Sequence, residues 1–409
     1  MSQTFDIVII GGGAAGIGAA MRLAGAPASV LLLEASDRLG GRARTDMIGG
    51  APLDLGCGYL HSAGRNAWTR MAEARGAVID RTPPPWEEQF ADLGFTAVER
   101  REAGAASDAF EERLRTDPPV SDRASDALEA GNRWNAFLEA MSGYRNGASL
   151  GSLSIADYLA YEEAATDDNW RLPDGFGALV ASTPIGCEVR LAAPVTAIDH
   201  SGSPVRVSTS VGVVEARQVI LCVPTATLGR IRFHPGIPDK LEAASVLPLG
   251  LADKAFLALD GAQEFPPDSH LIGSPRREET GSYFIRPFGR PMIEAFYGGA
   301  GARTLADNGR GASHAFAVEE LVELFGSDMR KRLRSIAASD WSREEWIGGS
   351  YSHALPGHAG ARSILAESVG DRLHFAGEAG SATDFSTAHG AFDTGVTAAE
   401  RAVGLLPSS

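Results

Sequence analysis

Apolar runs bounded by glycine or proline alternate along this chain with stretches whose apolar residues recur at helical spacing. The first unit is the clearest. Asp6-Ile-Val-Ile-Ile10 is a continuous apolar run suited to a strand covered on both faces. The turn Gly11-Gly-Gly13-Ala14-Ala15-Gly16 follows, then a helical stretch, then a second apolar strand, Leu31-Leu-Leu33, ending in Glu34. From about 65 to 170 the chain is helical, charged and alanine-rich, with loops at Thr82-Pro-Pro-Pro85 and Asp117-Pro-Pro119. Asp122 to Tyr144 has helical apolar spacing (Ala127, Trp134, Phe137, Leu138, Met141), and Ser154 is placed to cap the helix holding Tyr158 and Leu159.

Strand signals return at 188–191, 195–198, 205–207, 211–215 and 218–223, followed by short β-rich segments and proline turns from Leu247 to Phe296. A charged helix is predicted near 314–337. Arg372-Leu-His-Phe375 reads as a strand leading to Gly377-Glu378, and a helix from about Ala388 to Leu405 closes the chain.

The opening strand, glycine turn, helix and second strand carry a chemical implication. A helix N-terminus presents free N–H groups and partial positive charge, which suit a pyrophosphate. Gly11 permits the tight turn, Gly13 lets phosphates approach, and Gly16 lets the helix pack on the strand. Glu34, about 20 positions on, stands where an acid hydrogen-bonds an adenosine ribose. The chain binds a dinucleotide; this fingerprint alone separates neither NAD from FAD.

The rest of the composition narrows the setting. A formal charge of −15 disfavours nucleic acid and anionic membranes as partners and mildly favours cationic ligands, although acidity also serves simple solubility. Cys57, Cys187 and Cys222 show no C-x-x-C spacing, which argues against a disulfide framework or a structural zinc. With the first strand beginning at Asp6 and no apolar run of membrane-spanning length, a cytoplasmic protein is expected.

A second glycine pair follows Glu34 in Ala35-Ser-Asp-Arg38-Leu-Gly40-Gly41-Arg42, and its arginines suit a diphosphate or a solvated turn equally well. Taken together, these blocks, Asp54-Leu-Gly56-Cys57-Gly58-Tyr59-Leu-His61 and the far-end blocks His374-Phe-Ala-Gly377-Glu378 and Ser386-Thr387-Ala388-His389-Gly390-Ala391 resemble the flavin-containing amine oxidases. Pro194-Val195 and Val219 to Pro224 agree; the helical insert at 65–165 is not covered.

The resemblance implies FAD. Gly11, Gly13, Ala14, Ala15 and Gly16 would hold its pyrophosphate, with Glu34 and Ala35 at the adenosine ribose and Gly41 and Arg42 near the diphosphate. Gly56, Cys57, Gly58 and Tyr59 would run along the flavin. Val195 would meet the adenine through its backbone, and Gly377 and Glu378 the ribityl-phosphate end. Thr387 and Ala388 would open the closing helix beside the flavin, whose reduced anion its dipole would stabilise.

Lys254 leads into an apolar strand, Ala255-Phe-Leu-Ala-Leu259, where an edge-strand lysine reaching to water is the alternative. In the resembled family a lysine here contacts the flavin N5 through water and assists reoxidation by dioxygen. Trp341 and Tyr351 would be core aromatics in an arbitrary chain. The resemblance makes their segment the loop before the flavin, with a tyrosine flanking the substrate amine. Ser350 stands where monoamine oxidases carry a thiol, which implies non-covalent FAD. Thr387 replaces their second aromatic wall, which puts a small aromatic monoamine in doubt. His389 reads as packing.

The expected fold is α/β: a Rossmann-like FAD-binding domain of discontinuous segments (1–75, 185–245 and 345–409) with an inserted α+β substrate domain (76–184 and 246–344). The expected activity is hydride transfer from an amine α-carbon to flavin N5, with dioxygen reoxidising the flavin to yield imine or aldehyde and hydrogen peroxide. The alternatives are a related flavin desaturase or protoporphyrinogen-oxidase-like enzyme, and a non-catalytic binding module on the same fold.

Overall fold

In a computed structural model that describes residues 3–407, the chain opens with strand β1 (Gln3–Ile10), helix α1 (Ala14–Leu23) and strand β2 (Val30–Leu33). The insert contributes α2 (Asn135–Asn146) and α3 (Ile155–Ala164). Five strands follow: β3 (Glu188–Arg190), β4 (Val195–Asp199), β5 (Val205–Thr209), β6 (Gly212–Leu221) and β7 (Arg232–His234). Then come β8 (Ala252–Leu259), β9 (Ser269–Ile272), β10 (Ser282–Ile285), β11 (Met292–Gly298), helix α4 (Ala312–Phe325) and β12 (Leu333–Ala338). Strand β13 (Leu373–Phe375) and helix α5 (Ala388–Gly404) end it.

The larger sheet has the order β7-β4-β5-β6-β1-β2-β3, with β13 also paired to β6. Its centre is parallel: β6 to β1, β1 to β2 and β6 to β13. Alternate residues of β1 enter different cores, Val8 and Ile10 on one face, Ile7 and Ile9 on the other, which explains the unbroken apolar run. Segments 211–215 and 218–223, read separately in the sequence, form the single strand β6. Its first half pairs antiparallel with β5 and its second half parallel with β13.

The chain ends meet through α1 and α5. A Cβ at Gly395 would lie 2.0 Å from the Ala15 carbonyl oxygen, and one at Gly18 would lie 2.5 Å from that of Phe392. Only glycine lets the two helices approach this closely.

The smaller sheet, β9-β10-β11-β8-β12, is antiparallel throughout and separates two environments. Ala255, Leu271, Tyr283, Ile285, Ile293, Ala295 and Tyr297 pack with α4 residues Ala317 and Leu321, whereas the alternate residues point the other way.

Two helix predictions are corrected. The segment 122–144 is a short turn at Ala124–Ala127 followed by α2, because Gly131 takes a positive φ of 74° and the Asn132 side chain accepts the Trp134 N–H in a turn just before the helix. The segment near 314–337 is helical to Phe325, where Gly326 with φ of 93° ends α4; the chain turns again at Met329–Arg332 and becomes edge strand β12. Ser154 caps α3 as expected, accepting the Asp157 N–H.

Candidate active site

A single cavity of about 1480 Å³ runs from the start of α1 to the inner face of the smaller sheet. At the α1 end, Gly11 sits at φ of 103°, where a Cβ would lie 2.6 Å from the Cys222 carbonyl oxygen, and a Cβ at Gly16 would meet the Gly11 carbonyl oxygen at 1.9 Å. Gly13 precedes the helix with no side chain capping it, and a Cβ there would meet nothing closer than Gly41 Cα at 4.0 Å. An uncapped helix start facing an open glycine gap is a cradle for an anion. Ala14, Ala15, Ala35, Gly41 and Val195 line the same end.

Glu34 is buried. One carboxylate oxygen accepts the Gly12 N–H at 2.6 Å, and the other accepts the Ser36 N–H and hydroxyl, both at 2.8 Å. About four acceptor positions exist on a carboxylate, so one remains for a ribose hydroxyl.

Further along, Arg42 donates to Glu378 at 2.9 Å and to the Ser350 carbonyl. Glu378 also accepts the Ser352 hydroxyl at 2.7 Å and the Ser386 N–H at 2.9 Å. Burial alone would raise its pKa, but Arg42, Ser352, Arg362 and the Ser386 amide together hold it below the ordinary glutamate value. Behind it lies a pair the sequence reading missed. Arg362, fully buried, binds Asp157 at 2.6 and 2.8 Å, donates to the Ser352 hydroxyl at 2.9 Å, and stacks on Phe385 at 3.6 Å. The chain Asp157–Arg362–Ser352–Glu378–Arg42 ties the helical insert to the dinucleotide end.

Gly56, Cys57, Gly58, Tyr59, Gly377, Thr387 and Ala388 line the middle of the cavity. Gly56 lies on Trp341, where a Cβ would meet Trp341 Cζ2 at 3.1 Å. Trp341 is buried, and its indole N–H donates to the Leu55 carbonyl at 3.1 Å, so it supports this stretch from beneath. Thr387 caps α5 by accepting the Gly390 N–H. His389 joins Asn66 and Asp384 at 3.3 and 3.1 Å, turned to the protein rather than left free. Burial pushes the Cys57 thiol up to about 12.

The remaining end is a chamber. The inner face of the smaller sheet supplies Lys254, His270, Ser282, Phe284, Glu294 and Phe296; the insert supplies Tyr144 and Trp86. Tyr351 closes one side, its hydroxyl donating to the Tyr144 carbonyl at 2.8 Å, which fixes the ring. Tyr59 packs against Trp86 at 4.8 Å and Phe284 at 6.4 Å. Strand β8 is bonded on both sides, so Lys254 is not an edge-strand lysine. Its ammonium pairs with Glu294 at 2.8 Å. Burial would strip its proton, yet Glu294 and Asp54 outweigh burial and raise its pKa above the ordinary lysine value. Glu294, His270 and Tyr144 escaped the sequence reading. The two-residue alternation over 282–285 and 292–298 was the available signal.

A dinucleotide-binding sheet joined to a second, antiparallel sheet that walls an aromatic chamber defines a flavin-dependent oxidoreductase. The chain belongs to the flavin containing amine oxidoreductase family, whose model matches residues 14–403. Its cofactor is FAD, and it is an enzyme acting on CH–NH or CH–NH2 groups. It is 27% identical over 431 residues to polyamine oxidase 2 of Arabidopsis thaliana, covering 97% of this chain and 87% of that protein. It is 26% identical to lysine-specific histone demethylase 2 of Homo sapiens, across 97% of this chain and 53% of that protein. By fold it is similar to wild-type putrescine oxidase bound to putrescine (TM-score 0.80, 20% identity, 98% of this chain and 99% of that one). The same holds for cyclohexylamine oxidase from Brevibacterium oxydans IH-35A (TM-score 0.81, 19% identity, 98% and 99%). Among the described residues no helix is long and apolar enough to cross a membrane, and no cluster could hold a metal.

Proposed function

We propose that this enzyme is a dioxygen-using oxidase of di- or polyamines with non-covalently held FAD. Bound FAD would supply the acceptor for the hydride of the amine α-carbon and pass the electrons to dioxygen, giving imine and hydrogen peroxide. The observation that carries the reading is the continuity of the cavity: the uncapped start of α1 lines one end, and Lys254, Tyr351 and Phe296 line the other.

Within it, Gly13, Ala14, Glu34 and Arg42 would hold the dinucleotide. The rings of Tyr351, Tyr144 and Phe296 would orient the alkyl chain, keep water from the reacting carbon and attract an ammonium group through their faces. On the insert side Glu162, Asp167 and Asp168 line the cavity with Arg145 as the one nearby cation among the described residues, an acidic excess that would favour cationic substrates over amino acids. Lys254 would hold positive charge where dioxygen is reduced. Ser350 offers no thiol, and burial pushes the Cys57 and Cys222 thiols up to about 12, leaving them poorly nucleophilic.

The test is anaerobic bleaching of the bound flavin by a panel of amines. Putrescine and longer polyamines are expected to bleach it faster than benzylamine or lysine, with peroxide formed on admitting air. No bleaching by any amine, or fastest bleaching by an amino acid, would overturn this reading.

A further inference from the structure

We propose that Glu294 is a positioning residue that acts through Lys254: its carboxylate fixes the ammonium against the chamber wall and keeps it charged for the reaction with dioxygen. The inference rests on the reading that Lys254 serves that reaction. It begins from register. In the antiparallel pair of β8 and β11, Lys254 lies opposite Phe296 and Glu294 opposite Phe256. Lys254 and Glu294 therefore occupy diagonal positions on one face, the face turned to the chamber, where long side chains meet. They do so at 2.8 Å, with the Lys254 side chain 10% and the Glu294 side chain 21% exposed.

The other groups near the ammonium cannot replace this contact. Asp54 lies at the end of the hairpin strand Ala51–Asp54, and its carboxylate is already held by the Thr45 hydroxyl at 2.5 Å and by the Phe176 and Gly177 amides at 2.9 and 3.1 Å. Cys57 is a neutral thiol, and burial holds the Tyr59 phenol far above its ordinary value, so neither supplies negative charge. On the opposite side, Gly58 leaves room for the ammonium: a Cβ there would lie 3.0 Å from Nζ. Glu294 is thus the carboxylate in direct contact, and no donor other than Lys254 reaches it among the described residues.

Two consequences of removing Glu294 compete. An unpaired ammonium would act more strongly on nearby charge, but a desolvated ammonium without its counter-ion sheds its proton more readily. The second wins once the pH exceeds the weakened pKa of the lysine, and this gives the proposal a pH signature.

The experiment is stopped-flow oxidation of substrate-reduced holoenzyme by dioxygen across pH 6 to 10, with the visible spectrum of the resting flavin titrated in parallel. The native rate should stay level to pH 10, because the paired ammonium keeps its proton throughout. For Glu294→Gln an alkaline fall is expected inside this range, about 1–3 pH units below the native position, the span an opposite charge at contact commands. The resting spectrum should shift with the same midpoint, and the native rate should return at the acid end. Lys254→Met should be slow and pH-independent, and adding Glu294→Gln to it should change nothing further. Glu294→Asp should restore most of the native profile, and Glu294→Ala carries the same expectation as Gln if the latter does not fold.

A Glu294→Gln enzyme with the native pH profile, or one slowed equally at every pH, overturns the proposal while leaving the role of Lys254 intact. A Lys254→Met enzyme that oxidises at the native rate overturns the reading of Lys254 itself. Absence of bleaching by amines would instead sink the proposed function.

Discussion

Gly395→Ala tests whether the two ends of the chain must touch for the cofactor to be held. In the structure the new methyl would lie 2.0 Å from the Ala15 carbonyl oxygen and 3.1 Å from Ala15 Cα. Ordinary carbon–oxygen contact is about 3.5 Å, and a backbone carbonyl inside a helix cannot rotate away. Helices α1 and α5 must therefore part by more than 1 Å or so over the stretch where Ala19, Ala399 and Ala402 are fully buried. Overpacking of this kind costs about 1–3 kcal/mol, and the backbone contact puts the change at the upper end. Parting also carries Thr387 and Ala388, at the start of α5, away from the first turn of α1.

If most of about 3 kcal/mol falls on the loaded state, FAD affinity drops about 100-fold, since 1.4 kcal/mol is a factor of ten. The assay is recovery of flavin fluorescence on dilution of purified holoenzyme, with a thermal melt in parallel. Gly404→Ala, at the exposed end of the same helix with nothing within 4 Å of the new methyl, is the control and should leave both unchanged. A Gly395→Ala protein with native FAD affinity and native melting temperature would refute the argument.

The other predictions concern buried charge. Asp157→Asn leaves the Arg362 guanidinium buried without its carboxylate and should destabilise the protein by about 3–5 kcal/mol in urea titration; an unchanged midpoint would exclude a structural role for the pair. Burial pushes His270, His353 and His374 down to about 4, the first also aligned to Ser282 and the others beside arginines. Between pH 6.5 and 4 the unfolded chain takes up protons that these folded histidines refuse, so stability should fall on acidification, by as much as about 1.4 kcal/mol per pH unit for each. Glu378 and Asp384, whose pKa values are depressed in the fold, add stability above the ordinary carboxylate range that is lost as pH falls below it. Equal denaturation midpoints at pH 7 and pH 5 would contradict this account.

How much of the site could be read from the sequence follows from what each part depends on. The dinucleotide end is local backbone chemistry. Gly11 needs a positive φ, Gly16 must admit a neighbouring carbonyl, and Glu34 follows an apolar strand, so residue type at fixed spacing carries the information. The central strands β1, β2 and the second half of β6 were legible for the same reason, because burial on both faces leaves an uninterrupted apolar run, whereas the short, half-exposed edge strand β7 was not foreseen. The two failed helix predictions came from segments where single glycines, Gly131 and Gly326, broke an otherwise helical spacing.

The chamber depends instead on pairings between distant strands. Lys254 meets Glu294, and Tyr59 meets Trp86 and Phe284, only because β8, β10 and β11 stand in one antiparallel order and register. A one-residue slip of β11 would send Glu294 and Phe296 into the α4 core and bring Ile293 and Ala295 to the cavity. The apolar set Ile293, Ala295 and Tyr297 is what forbids that slip, since it fills the space against Ala317 and Leu321. The packed core on one side of the sheet thereby fixes which polar groups face the cavity on the other. The side chains lining the chamber are thus held in position from behind, by residues that never touch the cavity.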